Sequence, residues 1–345
     1  MADTRPTVWV SQPLIDAAIA PLRDRVQLRS TDTVTAWSPE QIAEQLASAD
    51  GAIITLNERI GAAQLADAAQ LQVIANVGVG YNNLDVDALS AAGILASNTP
   101  DVLTETTADL GFALLMATAR RITESERWLR EGQWGQWSFQ TMLGADIHGS
   151  TLGILGMGRI GQGIARRGAH GFGMKVLYHN RSRLPADTEA AVGASYVDLD
   201  TLLAQADHLI TVLPYSPSSH HIIDAAALAK MKSTATLVNI ARGGIVDELA
   251  LADALANGRL AAAGLDVYEG EPTVRPELLA LRNVVLTPHI GSASLATRTA
   301  MVQLAVDNLL AGLGLDGAPS RMPSAINSDA AIAARVTLGK KTGKR

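Results

Sequence analysis

Short apolar runs alternate with stretches of helical period through most of this chain. Strand-like runs at 7–10, 26–29, 52–55, 73–77 and 94–97 are separated by helical stretches at 14–22, 39–47, 62–68 and 86–92. That rhythm predicts a parallel sheet with helices on both faces. Residues 104–130 read as one long helix, apolar as far as Ala119 and charged beyond it. Such a helix is buried at one end and exposed at the other. A second alternating block begins at Thr151, with strands at 152–155, 175–178, 208–213, 236–239, 262–265 and 284–286. Helices at 160–170, 199–204, 226–231 and 248–257 fall between them, and a last helical run covers 293–310. From Gly312 onward the chain is rich in Gly, Pro and Ser and ends on a basic run, Lys340-Lys341-Thr342-Gly343-Lys344-Arg345. Residues 328–345 are expected to form a mobile tail.

Length makes two domains the natural division of 345 residues. With 48% hydrophobic and 18% charged residues there is apolar mass for two cores. A net charge of −6 argues against a nucleic-acid or anionic-membrane surface. The absence of cysteine removes disulfides and thiolate chemistry, and no metal-ligand cluster is expected. No apolar run has signal-peptide length at the N-terminus or reaches a membrane span, so a cytoplasmic protein is expected.

The most specific local signal is Gly156-Met157-Gly158-Arg159-Ile160-Gly161 directly after the apolar run Thr151–Leu155. A strand entering a glycine-rich turn and a helix start holds the pyrophosphate of a dinucleotide. Two glycines allow the tight turn and the close approach, and the third lets helix and strand pack. The helix N-terminus adds partial positive charge, so Arg159 and Ile160 become backbone donors. About 20 residues on, an acidic residue ordinarily binds the adenosine ribose hydroxyls. Here the strand ends Asn180-Arg181-Ser182-Arg183, with no carboxylate. Positive charge and donors at that place suit a 2′-phosphate, so NADP(H) is expected, with NAD(H) less favoured. The alternative is that Arg181 and Arg183 are solvated loop charges.

Three later strands end in polar residues: Asn239-Ile240-Ala241-Arg242, Asp266 through Glu269 to Glu271-Pro272, and Thr287-Pro288-His289-Ile290-Gly291-Ser292. Strand carboxyl ends face the ligand crevice of an open α/β sheet. Hydride transfer from a nicotinamide to a carbonyl carbon needs a proton for the carbonyl oxygen, and a histidine can carry it near neutral pH. A carboxylate beside His289 would favour the imidazolium and fix the ring. An arginine fork binds a substrate carboxylate bidentately and polarises the carbonyl. Glu269 competes with Glu271 for the carboxylate role.

Together these segments resemble the D-isomer-specific 2-hydroxyacid dehydrogenase family, in particular its NADPH-dependent glyoxylate/hydroxypyruvate reductases and 2-ketogluconate reductases. The motifs are Asn76-Val77-Gly78-Val79-Gly80, Leu103 to Asp109, the glycine-rich loop, Ala241-Arg242-Gly243, Gly270-Glu271-Pro272 and Pro288-His289-Ile290-Gly291, and the likeness covers roughly residues 5–327. The resemblance implies catalytic residues Arg242, Glu271 and His289. It implies two doubly wound domains, a Rossmann NAD(P)-binding domain at 109–292 and a flavodoxin-like substrate domain at 1–108 plus 293–327. Substrate would lie in an active-site cleft that closes by a hinge. It also implies cofactor contacts from Thr107, Leu213, Pro214, Ile240, Ala241, Asp266 and Gly291. Substrate contacts would come from Leu56, Ser292 and the backbone of Val79 and Gly80. Trp137 would reach a partner subunit's site in a homodimer, against the plainer reading of a core-packing aromatic. The implied reaction is NADPH-dependent reduction of glyoxylate, hydroxypyruvate or a related small 2-keto acid to the D-2-hydroxy acid. Reduction of 2-ketogluconate or an aromatic keto acid is the alternative within the family, and a non-catalytic nucleotide-sensing protein the alternative outside it.

Overall fold

In a computed structural model, which describes residues 3–315 and 321–337, the chain forms two compact units. The first comprises residues 1–103 and 294–345, the second Thr104–Ala293.

The first unit holds a five-stranded parallel sheet: β1 (Thr7–Val10), β2 (Gln27–Arg29), β3 (Gly51–Ile54), β4 (Val73–Asn76) and β5 (Leu95–Ser97), in the order β2-β1-β3-β4-β5. That is the flavodoxin-like strand order. Successive residues serve opposite faces, as the strand period requires. Val10, Ile53 and Val73 pack with Leu309 of the helix Leu295–Gly312, while Trp9, Ile54 and Ile74 pack with Leu46 and Leu89 on the other side. Flanking helices start where the sequence supplies caps. Ser38 and Gln41 form a reciprocal capping box with Pro39 in the first turn, and Ser294 accepts from the Thr297 N–H at 3.2 Å.

Part of the expected mobile tail is instead ordered. Residues Ser328–Thr337 form a helix in the first unit. Just before it, Asn327 accepts from the Ala96 N–H at 2.8 Å and donates to the Ile94 carbonyl at 2.9 Å. Ala331 and Arg335 are buried, and the Arg335 guanidinium donates to the carbonyls of Gly93 and Gln72. An apolar stripe too short to register as periodic is held by hydrogen bonds more than 200 residues away in sequence. The basic run from Lys340 lies outside the described residues.

The second unit carries a seven-stranded parallel sheet: β6 (Thr151–Leu155), β7 (Lys175–His179), β8 (Ala194–Tyr196), β9 (His208–Thr211), β10 (Thr236–Asn239), β11 (Ala262–Leu265) and β12 (Val284–Leu286). Its order is β12-β11-β10-β9-β6-β7-β8, a doubly wound sheet that reverses direction at β6 and β9. β8 adds a strand to the six read from sequence, because Ala-Ser-Tyr shows no apolar run of its own. The helix expected at 104–130 is two helices, Thr104–Ala119 and Ile122–Arg130. Arg121 between them has φ 54 and pairs with Glu124 at 2.8 Å, a left-handed break that neither Gly nor Pro announces. Thr104–Ala108 belong to this unit, not to the first, because their helix packs on the helix Arg159–Arg166 and on β10 and β11. Among the described residues, no helix is long and apolar enough to cross a membrane.

Candidate active site

The switch point of the second sheet places the glycine-rich turn at the exit of β6. Gly156 has φ 105, and a Cβ there would meet the Leu213 and Val212 backbone at 2.7–2.8 Å. A Cβ on Gly161 would strike the Gly156 carbonyl, whereas one on Gly158 would meet only open space. Two of the three glycines therefore answer to the fold. Gly158 caps the N-terminus of the helix Arg159–Arg166 beside room for a bound group, which fits a pyrophosphate at the positive end of that helix. Asn180 ties the turn to the end of β7 by accepting the Met157 N–H at 2.6 Å.

Beyond β7 the two arginines part company. Arg183 is committed to Glu189, with Nε and Nη2 donating at 3.0 and 2.7 Å. Glu189 also accepts from Tyr178 Oη at 2.7 Å. The Arg183 and Tyr178 hydrogen bonds hold its carboxyl below the usual range, and burial and Glu189 push the Tyr178 phenol up to about 12. Arg181 and Ser182 are exposed, and Arg181 makes no ion pair among the described residues.

Arg242, Glu271 and His289 stand at the exits of β10, β11 and β12. Nδ1 of His289 lies 2.7 Å from Glu271 Oε2, and the other Glu271 oxygen accepts the Tyr268 N–H at 2.9 Å. Burial alone would raise the Glu271 carboxyl. The His289 hydrogen bond and charge, the Tyr268 N–H and the Arg242 charge outweigh it and hold the group below the ordinary carboxylate value. With Nδ1 engaged, Nε2 is the ring atom left to give or take a proton. Arg242 is partly buried, and Nη1 donates to the Ala241 carbonyl at 2.7 Å. Burial pulls its guanidinium below its ordinary value, against the opposing charge of Glu271. The Arg242 turn is held by Asn239, which donates to the Arg242 carbonyl at 3.1 Å and accepts the Ala241 N–H at 3.0 Å. A Cβ on Gly243 would collide with the backbone of Tyr268, so the Arg242 and Glu271 loops pack directly on each other.

Asp266 shapes the His289 turn. Its carboxylate accepts Thr287 Oγ1 at 2.7 Å and the N–H groups of Ile290 and Gly291 at 2.8 and 2.9 Å. That cradle supports His289 at φ 53, a left-handed conformation rare for a non-glycine residue. Burial raises the Asp266 carboxyl, and the three donors oppose that shift. Thr107 is buried and close to Gly291. The Ile240 side chain is in the core, packed toward Gly111, and its N–H donates to the Thr211 carbonyl at 3.3 Å. Leu213 and Pro214 follow β9 beside Gly156, and Ser292 is partly buried three residues past His289.

In the first unit, Asn98 and Asn76 hold the carbonyls of Val79 and Gly80 at 2.8 and 3.1 Å. The N–H groups of these two residues make no hydrogen bond among the described residues. Nothing in the sequence around Asn98 marks it as the residue that holds the Val79 carbonyl. Leu56 is 40% exposed after β3. Trp137 is 64% exposed and meets Phe139 edge-on at 4.6 Å, so it is not a core aromatic of this chain.

A dinucleotide cradle at a sheet switch point, with an Arg, a Glu–His pair and a supporting Asp at neighbouring strand exits, is the equipment of a nicotinamide-dependent oxidoreductase. The family model described as "D-isomer specific 2-hydroxyacid dehydrogenase, NAD binding domain" matches residues 112–291, and the chain belongs to that family. It is 42% identical over 311 residues to a glyoxylate reductase of Thermococcus onnurineus, covering 89% of this chain and 92% of that one. It is 43% identical over 310 residues to glyoxylate/hydroxypyruvate reductase B of Klebsiella pneumoniae, covering 90% and 95%. Among solved structures it is similar to the NADPH-dependent glyoxylate/hydroxypyruvate reductase of Sinorhizobium meliloti in complex with NADP and malonate. That match has a TM-score of 0.81 and 33% identity, covering 94% of this chain and 98% of that one.

Proposed function

We propose that this chain reduces glyoxylate, hydroxypyruvate or a related small 2-keto acid to the corresponding D-2-hydroxy acid with NADPH, and that His289 is the proton donor. The 2.7 Å pairing of His289 Nδ1 with Glu271, beside the cationic Arg242, carries the reading. Arg242 binds the substrate carboxylate and draws electron density from the adjacent carbonyl. Leu56, Ser292 and the N–H groups of Val79 and Gly80 are assigned to substrate binding. The nicotinamide cofactor, when bound, supplies the hydride to the carbonyl carbon. As the C=O π bond breaks, the Nε2 proton of His289 passes to the oxygen, and Glu271 stabilises the imidazolium that precedes the transfer. One C–H and one O–H bond form, and His289 is left neutral until it regains a proton. Reduction consumes a proton and the reverse oxidation releases one, so reduction is expected to weaken as pH rises and oxidation to strengthen.

The absence of a carboxylate at 180–183, where the strand ends, and the unpaired Arg181 favour NADPH. Because Arg183 is committed to Glu189, Arg181 and Ser182 are the proposed 2′-phosphate contacts. Oxidation of NADPH and NADH, followed by absorbance with glyoxylate, hydroxypyruvate, 2-ketogluconate, pyruvate and phenylpyruvate, tests the activity. Turnover on none of these acids would overturn it. Arg181→Ala is expected to raise the KM for NADPH by about 10- to 100-fold, as loss of a charge-assisted hydrogen bond does. It should leave NADH little changed, and Arg183→Ala should have the smaller effect. An equal loss with both cofactors would refute the phosphate assignment.

A homodimer is proposed through the helix Ile122–Arg130 and the loop after it. Leu129, Trp134, Trp137, Phe139 and Leu143 are each more than half exposed there, and exposed apolar side chains gathered in one segment mark an interaction surface. Light scattering should give twice the 36.1 kDa chain mass, and Phe139→Asp with Leu143→Asp should return it to one. A wild-type protein of single-chain mass would end this assignment.

A further inference from the structure

The loop that presents Glu271 is held by a second set of charges that the reaction does not use. Two residues before Glu271, Glu269 pairs closely through Oε1 with Nε2 of His221. Its other oxygen accepts Arg275 Nη2 at 3.1 Å. The backbone N–H of Glu269 donates to Glu248 Oε1 at 2.6 Å. Glu248 opens the helix Glu248–Ala256, and its side chain is only 4% exposed. Its second oxygen lies 3.5 Å from Arg275 Nε. His221 comes from the loop after β9 and sits at φ 50, donating its N–H to the Gly244 carbonyl at 2.7 Å, with Asp247 Oδ2 3.9 Å from Nδ1. His220 stacks on its ring at 3.9 Å, and Tyr215 Oη is 3.2 Å from His220 Nδ1.

Burying a carboxylate is unfavourable, and burial together with the charge of Glu269 does push the Glu248 carboxyl up, against the Glu269 N–H and Arg275. A hydrophobic residue at that place would be the cheaper core. What the carboxylate supplies is direction: it takes a backbone N–H of the loop one residue after the N–H of Tyr268 is taken by Glu271 itself. Glu269 and Glu271 thus each hold a histidine, and the Glu269 pair ties the loop to two other elements.

We propose that Glu248, Glu269, Arg275 and His221 are positioning residues, a charge network that fixes the Glu269–Glu271 loop so that Glu271 stays within hydrogen-bonding reach of His289. The inference rests on the reading of Glu271 and His289 as the proton-handling pair, and the test separates the two. The readouts are kcat and the alkaline limb of kcat/KM for glyoxylate reduction with NADPH, together with the NADPH Kd and Tm. Variants are Glu271→Gln, Glu248→Ala, Glu248→Gln, and the more exposed Arg275→Leu and His221→Gln. Glu271→Gln is expected to move the alkaline limb to lower pH, because the imidazolium loses its anionic partner. Glu248→Ala should move it the same way and lower kcat about 10- to 100-fold, as misplacement of a reacting group by remote change does. Its NADPH Kd should stay within about two-fold of wild type, since the cradle at β6 is untouched. Glu248→Gln keeps an acceptor for the Glu269 N–H and should recover most of the kcat. If Glu248→Ala does not fold, Arg275→Leu and His221→Gln carry the same expected shift. A limb that moves in Glu271→Gln but stays at the wild-type pH in the network variants overturns the inference alone. A limb unmoved in Glu271→Gln overturns the proton-pair reading and the inference with it.

Discussion

His289→Asn is expected to lower kcat for keto-acid reduction by about 10²- to 10⁴-fold, the range a positioned general acid contributes. Asparagine keeps an N–H that can face Glu271, so the variant removes the transferable proton and leaves the carboxylate partnered. Alanine is the poorer choice. The Glu271 carboxyl is depressed chiefly by its His289 hydrogen bond and charge, against the opposing effect of burial. A carboxylate so depressed stabilises the fold above its ordinary titration value, and the contribution is lost as pH falls through the folded-state value. Removing the imidazole would leave burial dominant, so a drop in Tm would accompany the drop in rate and confuse it. Steady-state kinetics with NADPH titration checks the assignment. NADPH affinity should be near wild type, and the alkaline limb of the reduction profile should disappear with the group that causes it. A kcat within a few-fold of wild type would exclude His289 as the donor.

Arg242→Ala is expected to lower kcat/KM by about 10³-fold, equivalent to about 4 kcal/mol of transition-state stabilisation. Two effects add. The substrate carboxylate loses a charge-assisted fork, and the carbonyl loses the cation that polarises it. Arg242→Lys restores the charge without the planar pair of donors, so it should recover only part of the loss. A competitive dicarboxylate inhibitor provides an independent check, because its Ki should rise in Arg242→Ala without any chemical step. The Arg242 side chain faces a carboxylate of its own protein, Glu271, and removing the cation also removes one of the groups that keep Glu271 ionised. The alkaline limb of reduction should therefore shift as well, and the two contributions separate in the KM and kcat terms.

Much of the site was legible because its elements announce themselves locally. The glycine-rich turn follows a buried strand, and Arg242, Glu271 and His289 each follow a short apolar run, where an open α/β sheet exposes its ligand face. Asn239 and Asp266 lie in the same segments, but only coordinates show that one holds the Arg242 turn and the other cradles the His289 backbone. The two arginines after β7 looked equivalent as a pair. Glu189, six residues on and buried against Tyr178, takes Arg183 and leaves Arg181. The break at Arg121 and the strand Ala194–Tyr196 were illegible for a plainer reason, being too short and lacking Gly or Pro to mark them.

Strand and helix periodicity, the glycine spacing and the residue types at strand exits are properties of neighbouring positions, so the chain by itself determined two parallel α/β sheets and a dinucleotide cradle, and marked the candidates for the reacting groups. Which side chains pair depends on register and on loops meeting across hundreds of residues. The family resemblance already favoured Glu271 over Glu269, and the 2.7 Å contact to His289 agrees with it; tertiary structure alone decided that Glu269 joins Glu248, Arg275 and His221, and that the helix at 328–337 returns to the first unit through Arg335 and the Gly93 carbonyl. Such pairings repay the burial of charge only when several elements arrive at one place together, and no local pattern encodes that arrival.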